Sequence, residues 1–214
     1  MRYERKYRIE NLHLNVILQS VRLHPAGFRR IYPDRQINNI YFDTPDLLTY
    51  KENVMGIAKR NKYRVRWYGY DTHRVRKPQF EIKHRHNQVG AKTICKVEAF
   101  SLDNLSEITQ KVNSLSNDFR YAHLSPTLLN SYVRTYFGSY NRKFRVTVDS
   151  HLRYHSWLTG SKFVGYRIEE KSVFILEIKY DRATDVDIDY VMQYFPFRQT
   201  KNSKYVNGLD LCLM

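Results

Sequence analysis

Lys62-Tyr63-Arg64-Val65-Arg66-Trp67 alternates a cation with a bulky apolar residue at every step. Successive side chains of a β-strand point to opposite faces, so Lys62, Arg64 and Arg66 share one face and Tyr63, Val65 and Trp67 the other. The same period of two returns at 80–85, where Glu81, Lys83 and Arg85 oppose Phe80 and Ile82. It returns at 175–180, where Glu177 and Lys179 oppose Leu176, Ile178 and Tyr180, and near the N-terminus, where Glu4, Lys6 and Arg8 oppose Tyr3, Tyr7 and Ile9.

Along the rest of the chain, alternation and β-branched or aromatic content predict strands over 2–9, 36–43, 62–70, 78–86, 91–99, 127–138, 143–150, 163–169 and 173–180. Helices are expected over 11–22, over 45–54 after Thr44-Pro45, over 101–116 behind a Ser101 cap, and over 184–194 with Thr184 or Asp185 as cap. Asp43 should end a strand and cap the helix that follows. So many strands can close a barrel, with the helices against its apolar outer faces. The expectation is an α+β fold built on an antiparallel β-barrel of about eight strands. No repeat, low-complexity tract or long linker divides the chain, so residues 1–214 are expected to form a single domain.

Composition narrows the partner. The 214 residues carry 36 Lys and Arg against 21 Asp and Glu, a formal net charge of +15 that favours a polyanion. Nucleic acid, an anionic membrane and a phosphate polymer all satisfy that condition. The two cysteines, Cys95 and Cys212, lack the spacing of a disulfide framework or a zinc site, which suits a reducing cytoplasm. Met1-Arg2-Tyr3-Glu4-Arg5-Lys6 has no apolar leader character, and no stretch reaches the length of a membrane span, so a soluble, untargeted chain is expected.

Taken one strand at a time, a charged face is simply the solvated side of an antiparallel sheet. A solvated face normally mixes Lys, Glu, Thr and Ser. These faces are dominated by cations, with one Glu beside a Lys in three separate strands. If they converged inside a barrel, the cations would repel one another unless an anion and water filled the space.

Six motifs follow one another along nearly the whole chain: Ile40-Tyr41-Phe42-Asp43, Tyr63-Arg64-Val65-Arg66-Trp67-Tyr68-Gly69, Phe80-Glu81-Ile82-Lys83, Tyr132-Val133-Arg134-Thr135-Tyr136-Phe137, Leu176-Glu177-Ile178-Lys179 and Ser203-Lys204-Tyr205-Val206-Asn207-Gly208. In this order the chain resembles the VTC (vacuolar transporter chaperone) domain, of the triphosphate tunnel metalloenzyme (CYTH-like) superfamily. The resemblance implies a barrel around a basic tunnel and a polyphosphate polymerase that takes the terminal phosphate of ATP with a divalent metal, Mn2+ or Mg2+. By motif, Lys6, Arg64, Arg66, Lys83, Arg134, Arg145 and Lys179 match the family's catalytic cations. Lys201 and Lys204 match its C-terminal lysines, and Lys92 or Lys96 supplies a further substrate-binding cation. Glu177 matches the metal-binding glutamate, with Glu4 as a second carboxylate. The wider superfamily opens with Glu-x-Glu-x-Lys, whereas here Arg2 replaces the first Glu. That departure weakens a triphosphatase or cyclase reading, which leans on both glutamates, and is compatible with a VTC domain.

The resemblance implies ATP and inorganic polyphosphate as partners, no nucleic acid, and room for a membrane-protein partner. Three further readings stay open: a non-catalytic polyphosphate-binding domain, a triphosphate hydrolase on the same fold, and a nucleic-acid binder, the last without a zinc finger, an RRM consensus or a recognition helix. His84 and His86, two apart, have no third ligand at a metal-binding spacing. Lys59, Arg60 and Lys62 read as a solvated basic loop, and the 18 tyrosines as packing rather than base-stacking platforms.

Overall fold

The structure is a computed structural model that describes residues 2–72, 74–86, 89–158, 160 and 162–214. In chain order it runs β1 (Arg2–Glu10), α1 (Leu14–Arg22), β2 (Arg29–Asp43), α2 (Leu48–Val54), β3 (Lys59–Tyr68), β4 (Gln79–His86), β5 (Val89–Lys96) and α3 (Ser106–Leu115). A 3-10 turn (Phe119–Tyr121) leads to β6 (Ser125–Gly138), β7 (Phe144–Ser156), the short β8 (Ile168–Glu170) and β9 (Val173–Asp181). A second 3-10 turn (Arg182–Asp187) runs into α4 (Ile188–Met192), and α5 (Lys204–Leu213) closes the chain. The strands form one antiparallel sheet in the order β1-β9-β7-β6-β2-β3-β4-β5, with β8 on β7. The expected α+β antiparallel class is present. Among the described residues no pairing joins β1 to β5, so hydrogen bonds leave the sheet open at those two edges.

The chain divides into two compact units. The first comprises Met1–Arg35, Tyr132–Leu152 and Glu170–Asn202. There the apolar faces of β1, β7 and β9, with Tyr7, Ile9, Val146, Leu176 and Ile178, pack with Ile17 and Val21 of α1 and Ile188 and Val191 of α4. The second comprises Gln36–Ser131, Arg153–Glu169 and Ser203–Met214. There Tyr63, Val65, Trp67, Phe80 and Ile82 pack with Ile108 and Val112 of α3 and with Tyr121. Burying each such side chain contributes about 1.5–3 kcal/mol, so the period of two is enforced: slipping one residue would expose every one of them.

The helix expected over 184–194 is divided into the 3-10 turn Arg182–Asp187 and the short α4, whose N-cap is Asp187 and not Thr184 or Asp185, and β7 runs to Ser156, past the expected end at 150. Four further elements depart from the sequence expectation. β2 starts at Arg29, because the charged, exposed run 29–35 pairs as strand despite Pro33, which lacks the amide proton of a ladder donor. The helix expected from Ser101 begins at Ser106, since Ser101 Oγ accepts from the Asp103 amide at 3.1 Å and closes a turn instead. The strand expected over 163–169 shrinks to β8. α5 is an addition, capped by Ser203, whose Oγ accepts from the Val206 amide.

Asp43 closes β2 as expected and serves two helices. Its carboxylate accepts from the amides of Thr49 and Tyr50 in α2, at 2.8 and 2.9 Å, and from the Tyr205 hydroxyl of α5. Burial, then the adjacent Asp43 charge, pushes the Tyr205 hydroxyl far above the usual tyrosine range, so it stays a donor. α5 also needs Gly208. A Cβ there would lie 2.5 Å from Tyr154 Cδ1 and 2.7 Å from Leu128 Cδ2, both on buried side chains that cannot step aside. Gly208→Ala is therefore expected to cost about 1–3 kcal/mol through overpacking. Urea unfolding measures this, and an unchanged midpoint would refute the tight α5 contact.

Candidate functional site

In the first unit the charged face opposes the packed one. Strand register sets Lys6 opposite Glu177 and Glu4 opposite Lys179 across β1 and β9, and sets Thr147 opposite Glu177 and Arg145 opposite Lys179 across β9 and β7. Glu177 is nearly buried. Its carboxylate lies 3.6 Å from Lys6 Nζ, 3.5 Å from Lys179 Nζ and 3.7 Å from Arg134 Nη2. Burial opposes its ionisation, but the charges of Lys179, Lys6 and Arg134 outweigh burial and hold it well below the usual carboxylate range. Arg134 is fixed from behind: Nε and Nη2 donate to the two oxygens of buried Asp149, at 2.5 and 2.7 Å. Lys6 and Lys179 also approach Glu4, at 3.4 and 3.6 Å.

The second unit repeats the arrangement. Register pairs Lys62 with Lys83, Arg64 with Glu81 and Arg66 with Gln79 across β3 and β4, and Lys83 with Lys92 across β4 and β5. Glu81 is buried beneath these cations: Arg64 Nη2 at 2.5 Å, Lys92 Nζ at 2.9 Å and Arg66 Nη1 at 3.9 Å. Burial works against its charge, yet Arg64, Arg66 and Lys92 prevail and bring its pKa down to about 2. Arg66 Nε donates to Asn39 Oδ1 at 2.8 Å, and Asn39 Nδ2 donates to Asn130 Oδ1 at 3.2 Å, both amides being fully buried. Because a guanidinium can only donate, it dictates the orientation of both amides.

The other expected residues divide. Lys204 opens α5, half-buried, next to the Ser203 hydroxyl that takes a hydrogen bond from Lys62 Nζ at 2.9 Å. Lys201 is exposed and follows Thr200, whose amide and hydroxyl are bonded to β1 at Lys6 and Arg8. Lys96 lies exposed on β5 opposite Gln79, outside the ion pairs around Glu81, whereas Lys92 is within them. Lys59, Arg60 and Lys62 belong to β3 and not to a loop. His84 is occupied by Asn61 and Thr93, whose side chains lie 2.9 and 3.0 Å from its ring nitrogens.

The alternation puts Lys62 on the face of Arg64 and Arg66 without marking it as a site residue, and it gives no hint of Asp149 or the Asn39–Asn130 pair. Asp149 and the asparagines carry no such signal, since only strand register brings them to Arg134 and Arg66.

Among the described residues no group of three or more His, Cys, Asp and Glu side chains is placed to hold a metal. Glu177 and Glu4 lie on adjacent strands and share Lys6 and Lys179. Mg2+-like cations take one or two carboxylates and complete their shell with water and substrate phosphates, so this pair fits the family's divalent metal.

The Glu81 cluster makes a pH prediction. A carboxyl with a folded pKa of about 2, against an ordinary 4.5, adds stability that is full above pH 4.5 and is lost as the pH falls from 4.5 to about 2. The shift corresponds to something on the order of 3 kcal/mol. Glu81→Gln should flatten the stability profile across that window, read by denaturant unfolding at several pH values. Equal slopes for variant and wild type would refute the coupling.

The model of the VTC domain family matches residues 1–213. No curated protein sequence matches the chain. Among solved structures, a candidate adenylate cyclase from Vibrio parahaemolyticus superposes with a TM-score of 0.54 at 11% identity, over 97% of this chain and 98% of that one. A candidate adenylyl cyclase from Hippeastrum, reported to have a dominant triphosphatase activity, superposes with a TM-score of 0.53 at 13% identity, over 100% of this chain and 98% of that one. At such identities the likeness is one of fold.

Proposed function

The chain belongs to the VTC domain family, and we propose that it is a polyphosphate polymerase that transfers the terminal phosphate of ATP to a growing polyphosphate chain. The observation that carries this reading is the repeated arrangement of a buried carboxylate, Glu177 or Glu81, beneath cations from several strands. Around Glu81 three cations, Arg64, Arg66 and Lys92, share one carboxylate, and phosphate oxygens are the complement of that surplus; around Glu177 the carboxylates of Glu177, Glu4 and Asp149 meet Lys6, Lys179 and Arg134, with Arg145 across from Lys179 as a further cation.

In this reaction an oxygen of the chain's terminal phosphate attacks the γ-phosphorus of ATP. The bond from that phosphorus to the β–γ bridging oxygen breaks, and ADP leaves. Phosphoryl transfer requires mainly positioning and charge stabilisation, so no side-chain nucleophile is needed. Within the first unit Arg134 and Arg145, and within the second Arg64 and Arg66, would grip phosphate oxygens through forked donors, while Lys6, Lys179 and Lys201 in the first and Lys83, Lys92 and Lys204 in the second would act as point charges. Asp149 holds Arg134 through Nε and Nη2 and Asn39 holds Arg66 through Nε, which fixes the orientation of both guanidinium groups before a substrate arrives. Glu177 and Glu4 would hold a divalent cation, which supplies charge neutralisation on the transferring phosphate. A donor such as ATP suits a cytoplasmic setting, and among the described residues no helix is long and apolar enough to cross a membrane.

A hydrolase reading is favoured by the fold shared with the Hippeastrum protein. It differs only in the acceptor, water in place of a phosphate chain. Incubating the protein with ATP and Mn2+ or Mg2+ and resolving products on a gel separates the readings. Long phosphate chains support the polymerase, and orthophosphate alone supports the hydrolase. Neither product, with polyphosphate still bound, supports a binding domain. Arg66→Ala should weaken polyphosphate binding and turnover together, about tenfold or more each, because its guanidinium contacts phosphate before and during transfer. Unchanged binding at fixed salt would remove Arg66 from the site.

A further inference from the structure

We propose that the end of the second unit where α2 meets β3 is a docking surface for an anionic lipid bilayer. Val54, Met55, Ile57 and Phe119 are 59%, 73%, 42% and 89% exposed there. The first three sit on a well-defined turn. Gly56, at φ +72°, ends α2, with its amide donating to the Asn53 carbonyl and the Ile57 amide to the Glu52 carbonyl at 2.9 Å. At helix ends of this kind the residue after the glycine commonly packs back on the last turn, whereas Ile57 stays exposed. Phe119 is tied to the same place. The Tyr121 hydroxyl donates to Glu52 of α2 at 2.6 Å and accepts from the Asn61 amide of β3 at 3.2 Å, while Asn61 Nδ2 reaches Asp118 at 3.4 Å.

Cations at the start of β3 adjoin this turn. Lys59 and Arg60 open β3, and Arg60 stands directly opposite Arg85 of β4, a like-charge pair that costs stability within a sheet. Arg60 is anchored by donating to the Ile57 carbonyl, so charge and apolar tip share one turn. Arg120 lies beside Phe119 in sequence. The nearby carboxylates are already engaged, Glu52 by Tyr121 and Asp118 by Arg120 at 2.7 Å. A free polyanion would answer the cations but leave an exposed Phe, Met and Ile without partners. A bilayer answers both, with acyl chains and glycerol for the apolar tip and anionic headgroups for the cations of β3 and β4 beside it.

Sedimentation with vesicles of phosphatidylcholine, with or without phosphatidylserine, tests the proposal in the full chain. The protein should partition onto phosphatidylserine-containing vesicles and not onto phosphatidylcholine alone. Met55→Ser/Ile57→Ser/Phe119→Ser, which leaves every charge in place, should lower the partition coefficient more than tenfold. Arg60→Glu/Arg85→Glu should lower it by roughly thirtyfold or more. Thermal melts of both variants confirm that they are folded, and the two act through different forces, so loss in both supports the docking surface. Wild-type binding by the triple serine variant would show adsorption by net charge alone and overturn the proposal. So would a wild-type protein that ignores anionic vesicles, in which case the face would belong to a protein partner.

Discussion

Glu177→Gln is expected to lower ATP turnover by roughly a hundred- to a thousandfold while polyphosphate binding at fixed salt holds or tightens. Gln keeps the shape of Glu but carries no charge with which to hold a divalent cation. The same change takes away the buried anion shared by Lys6, Lys179 and Arg134. Those three cations then repel one another more strongly, and an incoming polyanion relieves more of that repulsion, so affinity should not fall. Rate and affinity move apart only if Glu177 serves the chemistry. Initial rates with ATP, together with equilibrium binding of polyphosphate, measure the two quantities separately. Turnover at the wild-type rate would remove Glu177 from the metal role, and a parallel collapse of binding would show that it merely props the cluster.

Asp149→Ala should destabilise the protein by about 3–5 kcal/mol, the usual cost of stranding one member of a buried ion pair. Asp149 is fully buried and takes both hydrogen bonds of the Arg134 fork. Without it the guanidinium keeps only the longer Glu177 approach among its carboxylate contacts described above, and must be desolvated with less compensation. In a chain of this size the loss should appear as a fall of about 10 °C in Tm. The pair can also be replaced outright. Arg134→Met/Asp149→Leu leaves no buried charge stranded and should recover much of the stability, because well-packed apolar residues substitute for buried ion pairs at little cost. Activity should not return with it, since the phosphate-gripping donor is gone. A double variant as unstable as Asp149→Ala would show that the site cannot repack. One that regains turnover would exclude Arg134 from the reaction.

The charged face that carries the candidate residues was legible because on these strands the charge pattern and the folding signal are the same signal. Arg64, Arg66, Glu81, Lys83, Glu177 and Lys179 sit at alternate positions whose neighbours, such as Tyr63, Val65, Ile82 and Ile178, must be buried, so their face follows from the strand period. Lys62 obeys the same period, while the local charge density of Lys59, Arg60 and Lys62 suggests a loop that the structure replaces with the start of β3 at Lys59. The helix α5 escaped notice because its ten residues, KYVNGLDLCL, include Asn207 and Gly208, poor helix formers. What stabilises it lies elsewhere in the chain: the Tyr205 hydroxyl on Asp43, the Tyr50 hydroxyl on Asp210, and Gly208 against Tyr154 and Leu128.

By itself the sequence determined the antiparallel α+β class, the family, and which face of each principal strand carries charge, because all three rest on local alternation and ordered motifs. Only the tertiary structure decided which charges meet. Lys6 reaches Glu177 from 171 positions away because β1 pairs with β9, and Asp149 reaches Arg134 because two buried strand positions come within hydrogen-bond distance. That no pairing joins β1 to β5 among the described residues was likewise beyond local reading. Register and edge pairing come from the sum of many packing contacts over the whole sheet, and no stretch of a few residues contains that sum.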